Sequence, residues 1–313
     1  MRLSSIAASL ISLAKLRFAL VALAAILSTA PSHAEFLAFV GAAGTSTDCA
    51  PTNPCSSIAV ALGFVQQPIR IICLGGTLRD QGSLITTSGT AVDIDCPQGT
   101  SGGLQIKPSA TNVTVRVWHL TFRNGDFSNA LLIQGSGTVI LEDCVFGDST
   151  GVSLDIEPNG PLNLVIKNTR ISNAAGAGVL IKPAAGGSVT ATFDGVTITK
   201  NAGGLKTDTT NGAVRVDITN STISNNANNG LIAIGGAGGQ NMVSVGNGVI
   251  ASNSQAGIEA SGGTAAVLVN NTLLDSNAGG AISAVSGGRI LTYQNNRTIG
   301  LPGTGFTGTA SPN

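Results

Sequence analysis

The sequence predicts an all-β solenoid, a parallel β-helix, and three observations carry that prediction. An apolar position recurs at Phe122, Phe146, Ile171, Ile198, Ile223, Ile250, Leu274 and Ile299, with steps of 24, 25, 27, 25, 27, 24 and 25 residues. A period of this size marks a stacked repeat. Within a repeat, Val214, Val216 and Ile218 alternate with Arg215, Asp217 and Thr219, and further apolar positions follow at Ile223, Leu231 and Ile234. That pattern divides each repeat into three short strands of period two. Charged residues make up only 10% of the chain while glycine numbers 42, which suits tight turns and small inward-facing residues. One repeat cannot bury its own inner face, so coils stack, each strand pairing in parallel about 4.8 Å above its equivalent.

Taken in order, residues 1–34 read as a cleaved secretion signal. Arg2, Lys15 and Arg17 precede the apolar run Phe18 to Ala30, and Ser32 and Ala34 suit cleavage before Glu35. The run falls short of the roughly 20 residues that span a bilayer, so no membrane span is expected after cleavage. The predicted location is secreted, periplasmic or extracellular. Losing three basic residues leaves the remainder weakly acidic, which argues against nucleic acid or an anionic membrane as partner. A monomer is expected.

Residues 35–111 form an N-terminal cap and the first, less regular coils. Phe36 to Val40 reads as a strand, and Ser56 or Ser57 is placed to cap a short helix through about Val65, with Ile58, Leu62 and Val65 on one face. Such a helix covers the open end of the stack. Of five cysteines, Cys49 and Cys55 bracket a loop, and Cys73 and Cys96 lie about one coil apart. The expected disulfides are Cys49 with Cys55 and Cys73 with Cys96. Cys144 occupies the position of Thr169, Val196 and Ser221 in later coils and reads as a buried free thiol. Neither spacing nor histidine supply supports a zinc site, and no cofactor is expected.

Residues 112–300 are the regular coils. Three residues before most anchors stands Asp143, Asn168, Asn220, Asn247, Asn271 or Asn296, with His119 and Gly195 as exceptions. Asparagine tolerates the left-handed conformation of a tight corner, and stacked amides can form a ladder there. A second, variable turn follows each anchor, and a third corner holds stretches such as Pro183 to Gly187. Residues 301–313 are a polar tail. Its Leu-Pro-Gly-Thr-Gly matches a sortase pattern but lacks the hydrophobic segment and basic tail of that signal, and reads as a turn.

These features resemble the pectin-lyase-like superfamily of right-handed parallel β-helix proteins, on the Asn-x-x-Ile coils of Asn112 to Gly300. More narrowly they resemble small secreted bacterial β-helix repeat proteins, on Phe39-Val40-Gly41, Asp48-Cys49, Asn53-Pro54-Cys55, Ile72-Cys73-Leu74 and Asp93-Ile94-Asp95-Cys96. The resemblance implies the fold well and an activity poorly. Polygalacturonases of this fold carry Asn-Thr-Asp, Gly-His-Gly and Arg-x-Lys signatures, and none occurs here. Val117-Trp118-His119 departs in spacing from a Trp-x-x-His lyase motif, so no role is carried to it.

The residues offer one candidate site. With Ile133, Leu154, Ile181 and Thr207 at one inward position, the next outward position stacks Gln134, Asp155, Lys182, Asp208 and Ile234. Asp155, Lys182 and Asp208 are the catalytic candidates, with Lys206 and Glu157 as ligand-binding neighbours. A second column, Trp118, Glu142, Lys167, Asp194 and Thr219, repeats the acid, base, acid order, which points to charge alternation as a strand-pairing device. The preferred function is a structural or glycan-binding β-helix without catalysis and with polysaccharide as partner. The alternative is a polysaccharide lyase, epimerase or glycoside hydrolase on acidic polysaccharide, the lyase alone calling for calcium. An adhesin or secreted passenger is the third reading.

Overall fold

The structure, a computed structural model, describes residues 36–45, 48–64, 68–78, 84–87, 91–123 and 128–310. The expected signal segment lies outside these residues. Three strands per coil build three faces of a parallel β-helix. The first face carries strands such as Ser136–Glu142, Pro161–Lys167, Ser188–Asp194, Ala213–Thr219 and Asn241–Gly246. The second holds the anchors on three-residue strands including Val145–Gly147, Arg170–Ser172 and Thr197–Thr199. The third comprises Leu131–Ile133, Leu154–Ile156, Ala177–Ile181, Gly203–Asp208 and Leu231–Ile234 among others. Among the described residues the second face stacks ten strands in unbroken order.

Alternation does what the sequence pattern requires. Val189, Ala191 and Phe193 are buried while Thr190, Thr192 and Asp194 face out, and register holds from coil to coil, with Val189 beside Val214 and Ile198 beside Ile223. Inside, Phe122 and Phe146 stack with centroids 4.4 Å apart. The last floor slips by one residue from the expected anchor. Leu274 pairs with Thr298, and Ile299 stands beside Asp275, 40% exposed.

The first corner turns through left-handed residues at His119, Asp143, Asn168, Gly195, Asn220, Asn247 and Asn271, whereas Asn296 does not. Asn296 instead donates from Nδ2 to the Val269 carbonyl at 2.8 Å. The amide ladder expected at that corner stands mainly elsewhere. At the second corner Asn201, Asn226, Asn253 and Asn277 are buried, each Nδ2 donating to the next Oδ1 at 3.1, 3.0 and 2.9 Å. Every such Oδ1 also accepts a backbone N–H from the coil below, as Asn226 does from Asn201 at 3.0 Å. Burial in low dielectric makes an unpaired amide costly, and stacking identical amides satisfies each one in turn.

Both ends of the stack are covered. Helix α1, Ile58–Phe64, lies against the first coils, capped by Ser57, whose Oγ accepts the Val60 N–H at 3.1 Å. It buries Ile58 and Ala61, and half-buried Leu62 packs on the core, so Ile58 and Leu62 of the predicted face stand on the packed side while Val65 lies outside the described residues. The loop closed by the Cys49–Cys55 disulfide pairs with the outer edge of the first strand, Phe36–Val40, through Phe39 N–H to Cys49 O at 2.8 Å and Cys55 N–H to Phe39 O at 2.9 Å. Cys73 and Cys96 form the second disulfide. Cys144 is buried and free, and burial pushes its thiol up to about 12. At the far end, Leu301 to Gly305 is part of a lid. Leu301 O accepts from Ala281 at 2.7 Å, Thr304 N–H reaches Ile282 O at 2.9 Å, and Phe306 packs on the core. Gly303 has φ 79°, and a Cβ there would collide with the Ile282 carbonyl. The five residues that match the sortase pattern are thus held as a cap.

Candidate functional site

On the third face, Ile133, Ile156, Ile181 and Thr207 share the inward position, because Leu154 pairs with Leu131 and Val179. This corrects the predicted column by two residues. The outward stack that follows is Lys107, Gln134, Glu157, Lys182, Asp208 and Ile234, fixed by bonds such as Gln134 N–H to Ile106 O, Glu157 N–H to Ile133 O and Lys182 N–H to Ile156 O, each 2.9 Å. Asp155 belongs to a parallel outward column with Leu132, Leu180, Lys206 and Ile232. Both columns lie on one face, so the five candidate residues do come together, but Glu157 rather than Asp155 is in line with Lys182.

The two columns border different depressions. Lys107, Gln134, Glu157, Asn159, Lys182 and Asn211 line a pocket of about 290 Å³ that opens at the third corner, with Pro183 and Ala184 at its wall. The corner is tightly drawn here. A Cβ at Gly187 would strike the Pro158 carbonyl, and one at Gly212 would strike that of Gly187. Lys206 instead borders a second depression of about 390 Å³ on the opposite edge, floored by Gly176, Ala202, Gly203 and Leu205.

The electrostatics separate the aspartate candidates. Asp155 is 7% exposed, and its Oδ2 accepts from Asn129 Nδ2 at 2.8 Å while Oδ1 has no hydrogen-bond partner among the described residues. Burial, reinforced by the nearby Glu157 charge, pushes Asp155 up to about 6. Asp208 behaves oppositely. Burial pushes it up, but Thr210, donating from Oγ1 at 2.5 Å and from its backbone N–H at 2.9 Å, outweighs that together with the positive charges of Lys182 and Lys206, and holds it below the usual carboxylate range. Asp208 is therefore a fixed anion and an acceptor. Asp155 holds a proton in the range useful for acid-base work, yet it does not line the pocket of Lys182.

The charge-alternation expectation meets a difference. The first-face column is in register as predicted, Trp118, Glu142, Lys167, Asp194 and Thr219. Among the described residues, however, no ion pair within 4.0 Å joins acid to base in either column. Glu142 instead accepts from Trp118 Nε1 at 3.1 Å, and Asp194 accepts from Asn220 Nδ2 at 2.8 Å. The ion pairs lie elsewhere: Arg70 stands 3.6 Å from Asp95, whose Oδ1 also hydrogen-bonds with His119 Nδ1 at 2.9 Å, and Arg123–Asp148 and Arg215–Asp217 are each 4.0 Å apart.

Residues 98–217 match a family model described as a right handed beta helix region. The solved structure of the pectate lyase Pel9A superposes with a TM-score of 0.62 at 14% identity, covering 88% of this chain and 79% of that one. The fold is therefore a right-handed parallel β-helix. The A-module of the mannuronan C-5 epimerase AlgE6 from Azotobacter vinelandii, also 14% identical, covers 88% of this chain and 89% of its own, but at a TM-score of 0.35 it carries no argument. No curated protein matches the chain by sequence. Among the described residues no helix is long and apolar enough to cross a membrane.

The pocket of Lys182 carries two ammonium groups and a single carboxylate, a donor set unlike the several oxygen ligands calcium takes. Among the described residues no three His, Cys, Asp or Glu side chains converge as metal ligands, and the carboxylates of Glu157 and Asp208 flank Lys182 rather than each other. Two ammonium groups, three side-chain amides and one carboxylate offer donors and acceptors to a hydroxylated, negatively charged ligand. Sequence reasoning missed Lys107, Asn159 and Asn211, which lie outside or beyond the strand positions it compared. Asn159 and Asn211 could have been found from their shared place just before Gly160 and Gly212 at the same corner.

Proposed function

We propose that this protein is a secreted β-helix that binds an acidic glycan in the third-corner pocket between Lys107 and Lys182, without turning it over. The observation that carries this reading is the pair of lysines. Neither has an ion-pair partner within 4.0 Å among the described residues, and both face one pocket beside Gln134, Asn159 and Asn211. An unpaired ammonium at a polar pocket rim attracts a carboxylate or sulfate, and flanking amides meet sugar hydroxyls. The two disulfides suit an oxidising, extracytoplasmic location. Against catalysis stands the placement of the proton, since the carboxyl that burial pushes up does not line this pocket. The carboxyl titrating near 6 sits in the neighbouring column, and the carboxylate beside Lys182 on the next coil is locked in its ionised form by Thr210.

Calorimetric titration with acidic and neutral oligosaccharides of matched length tests the reading. Binding of the acidic set alone, weakening as salt rises, is the expected result. Equal affinity for the neutral set would refute it. The enzymatic alternative is addressed by incubating uronic-acid polymers with the protein, with and without calcium. Unsaturated or shortened products that vanish in Lys182→Ala would overturn the non-catalytic part.

A further inference from the structure

Four Asn-Gly pairs occur among the described residues, at Asn159-Gly160, Asn211-Gly212, Asn229-Gly230 and Asn247-Gly248, while Asn124-Gly125 lies outside them. Glycine after asparagine leaves the backbone nitrogen unshielded, because no Cβ hinders its approach to the preceding side chain. What differs among the four is how the fold holds the two reacting groups.

Asn229 is 9% exposed, donates from Nδ2 to Glu259 Oε2 at 3.1 Å and accepts the Ala256 N–H at 3.0 Å. The nitrogen of Gly230 is itself committed to Ala256 O at 3.0 Å. Asn247 accepts from Asn271 Nδ2 at 2.8 Å and is held at φ 54°. Asn159 and Asn211 are exposed instead. Among the described residues, neither side chain forms a hydrogen bond, and neither Gly160 N–H nor Gly212 N–H has an acceptor. Both asparagines line the pocket of Lys107 and Lys182.

We infer that Asn159 and Asn211 are sites of spontaneous deamidation, and that this modification closes the pocket to anions. In each step the following glycine nitrogen loses its proton and attacks the asparagine Cγ. The Cγ–Nδ2 bond breaks, ammonia leaves, and a five-membered succinimide forms. Water then opens the ring at either carbonyl to give aspartate or isoaspartate. One water is consumed and one ammonia released, with no change in oxidation state. The lining carries Lys107, Lys182 and Glu157 as its charged groups, so two new carboxylates turn a net positive pocket into a net negative one. The consequence for affinity rests on the proposed anion binding, whereas the modification does not.

The test is peptide mass mapping of the full-length protein after ageing in mildly alkaline buffer, alongside titration of aged and fresh samples with an acidic oligosaccharide. Aspartate and isoaspartate at positions 159 and 211, with Asn229 intact, is the expected map. Intact Asn159 and Asn211, or conversion spread evenly over all four sites, overturns the assignment. Ageing is expected to cost on the order of tenfold in affinity, the scale of two added like charges at a partly screened site. The Asn159→Gln, Asn211→Gln double variant, whatever its affinity when fresh, should lose none of it through the same treatment. An equal loss in that variant overturns the link between modification and binding. Fresh protein without affinity would overturn the binding reading and that link together, while the mass map still decides the modification by itself.

Discussion

The second corner and the third face answer the same physical problem in opposite ways. At the corner, Asn201, Asn226, Asn253 and Asn277 are buried, and each amide is satisfied by the coils above and below. On the face, Asp155 is also buried but leaves one oxygen unpartnered, and Lys182 faces a pocket with no anion within ion-pair distance among the described residues. The difference teaches where the coil repeats for stability and where it departs from repetition. The amides that recur at the second corner close one another's hydrogen bonds, whereas Asp155 and Lys182, each on a single floor, have bonds left to offer.

The comparison breaks most visibly at the ladder. Asn226→Ala removes the acceptor of both the Asn201 backbone N–H and its side-chain amide, and the donor to Asn253. Leaving several buried groups unpaired is expected to cost about 3 kcal/mol or more, read from the midpoint and slope of urea unfolding.

Asp155→Asn should act in the other direction. In the unfolded chain the carboxyl releases its proton near 3.8, and in the folded protein near 6. A raised carboxyl favours the folded state only while protonated, so stability falls as pH rises between those values and is level above them. The amide in the variant carries no charge at any pH, and the gain over natural protein should reach about 1–3 kcal/mol at pH 7 and vanish near pH 3. Parallel unfolding curves at the two pH values check this. A gain of equal size at both would remove the buried carboxylate from the account.

Smaller still is the expected stability effect of Lys182→Ala. Its head group has no ion-pair partner within 4.0 Å among the described residues, so unfolding should shift by less than about 0.5 kcal/mol. A loss of several times that size would show that the lysine is a structural partner of Glu157 or Asp208 after all.

Most of the coil architecture was legible because burial selects strictly at period two. Val214, Val216 and Ile218 face inward without exception, and the left-handed corner is announced by Asn168, Asn220, Asn247 and Asn271. The site was less legible for a specific reason. In Leu154-Asp155-Ile156 two apolar residues stand two apart, both buried, and a shift of two keeps the inward face inward, so alternation alone cannot choose between them. Only the pairing of Leu154 with Val179 resolves it. The buried ladder, by contrast, was present in the sequence. Asn201, Asn226, Asn253 and Asn277 each lie three residues after an anchor, at Ile198, Ile223, Ile250 and Leu274. Ladder and left-handed turn were both expected of one set of asparagines, although a buried amide and an exposed corner amide do different work. Lys107 was hidden because it sits on the long strand Leu104–Trp118, which runs from the third face onto the first.

Whether the pocket between Lys107 and Lys182 binds an acidic glycan, as proposed, is tested most directly by one titration. An acidic oligosaccharide bound by the natural protein should lose on the order of tenfold or more in affinity with Lys182→Ala, and more again with Lys107→Ala added, while Lys167→Ala, from the matching column of the first face, leaves it unchanged. Equal losses from Lys182→Ala and Lys167→Ala would contradict the claim, since they would show a diffuse charge effect with no preference for the pocket.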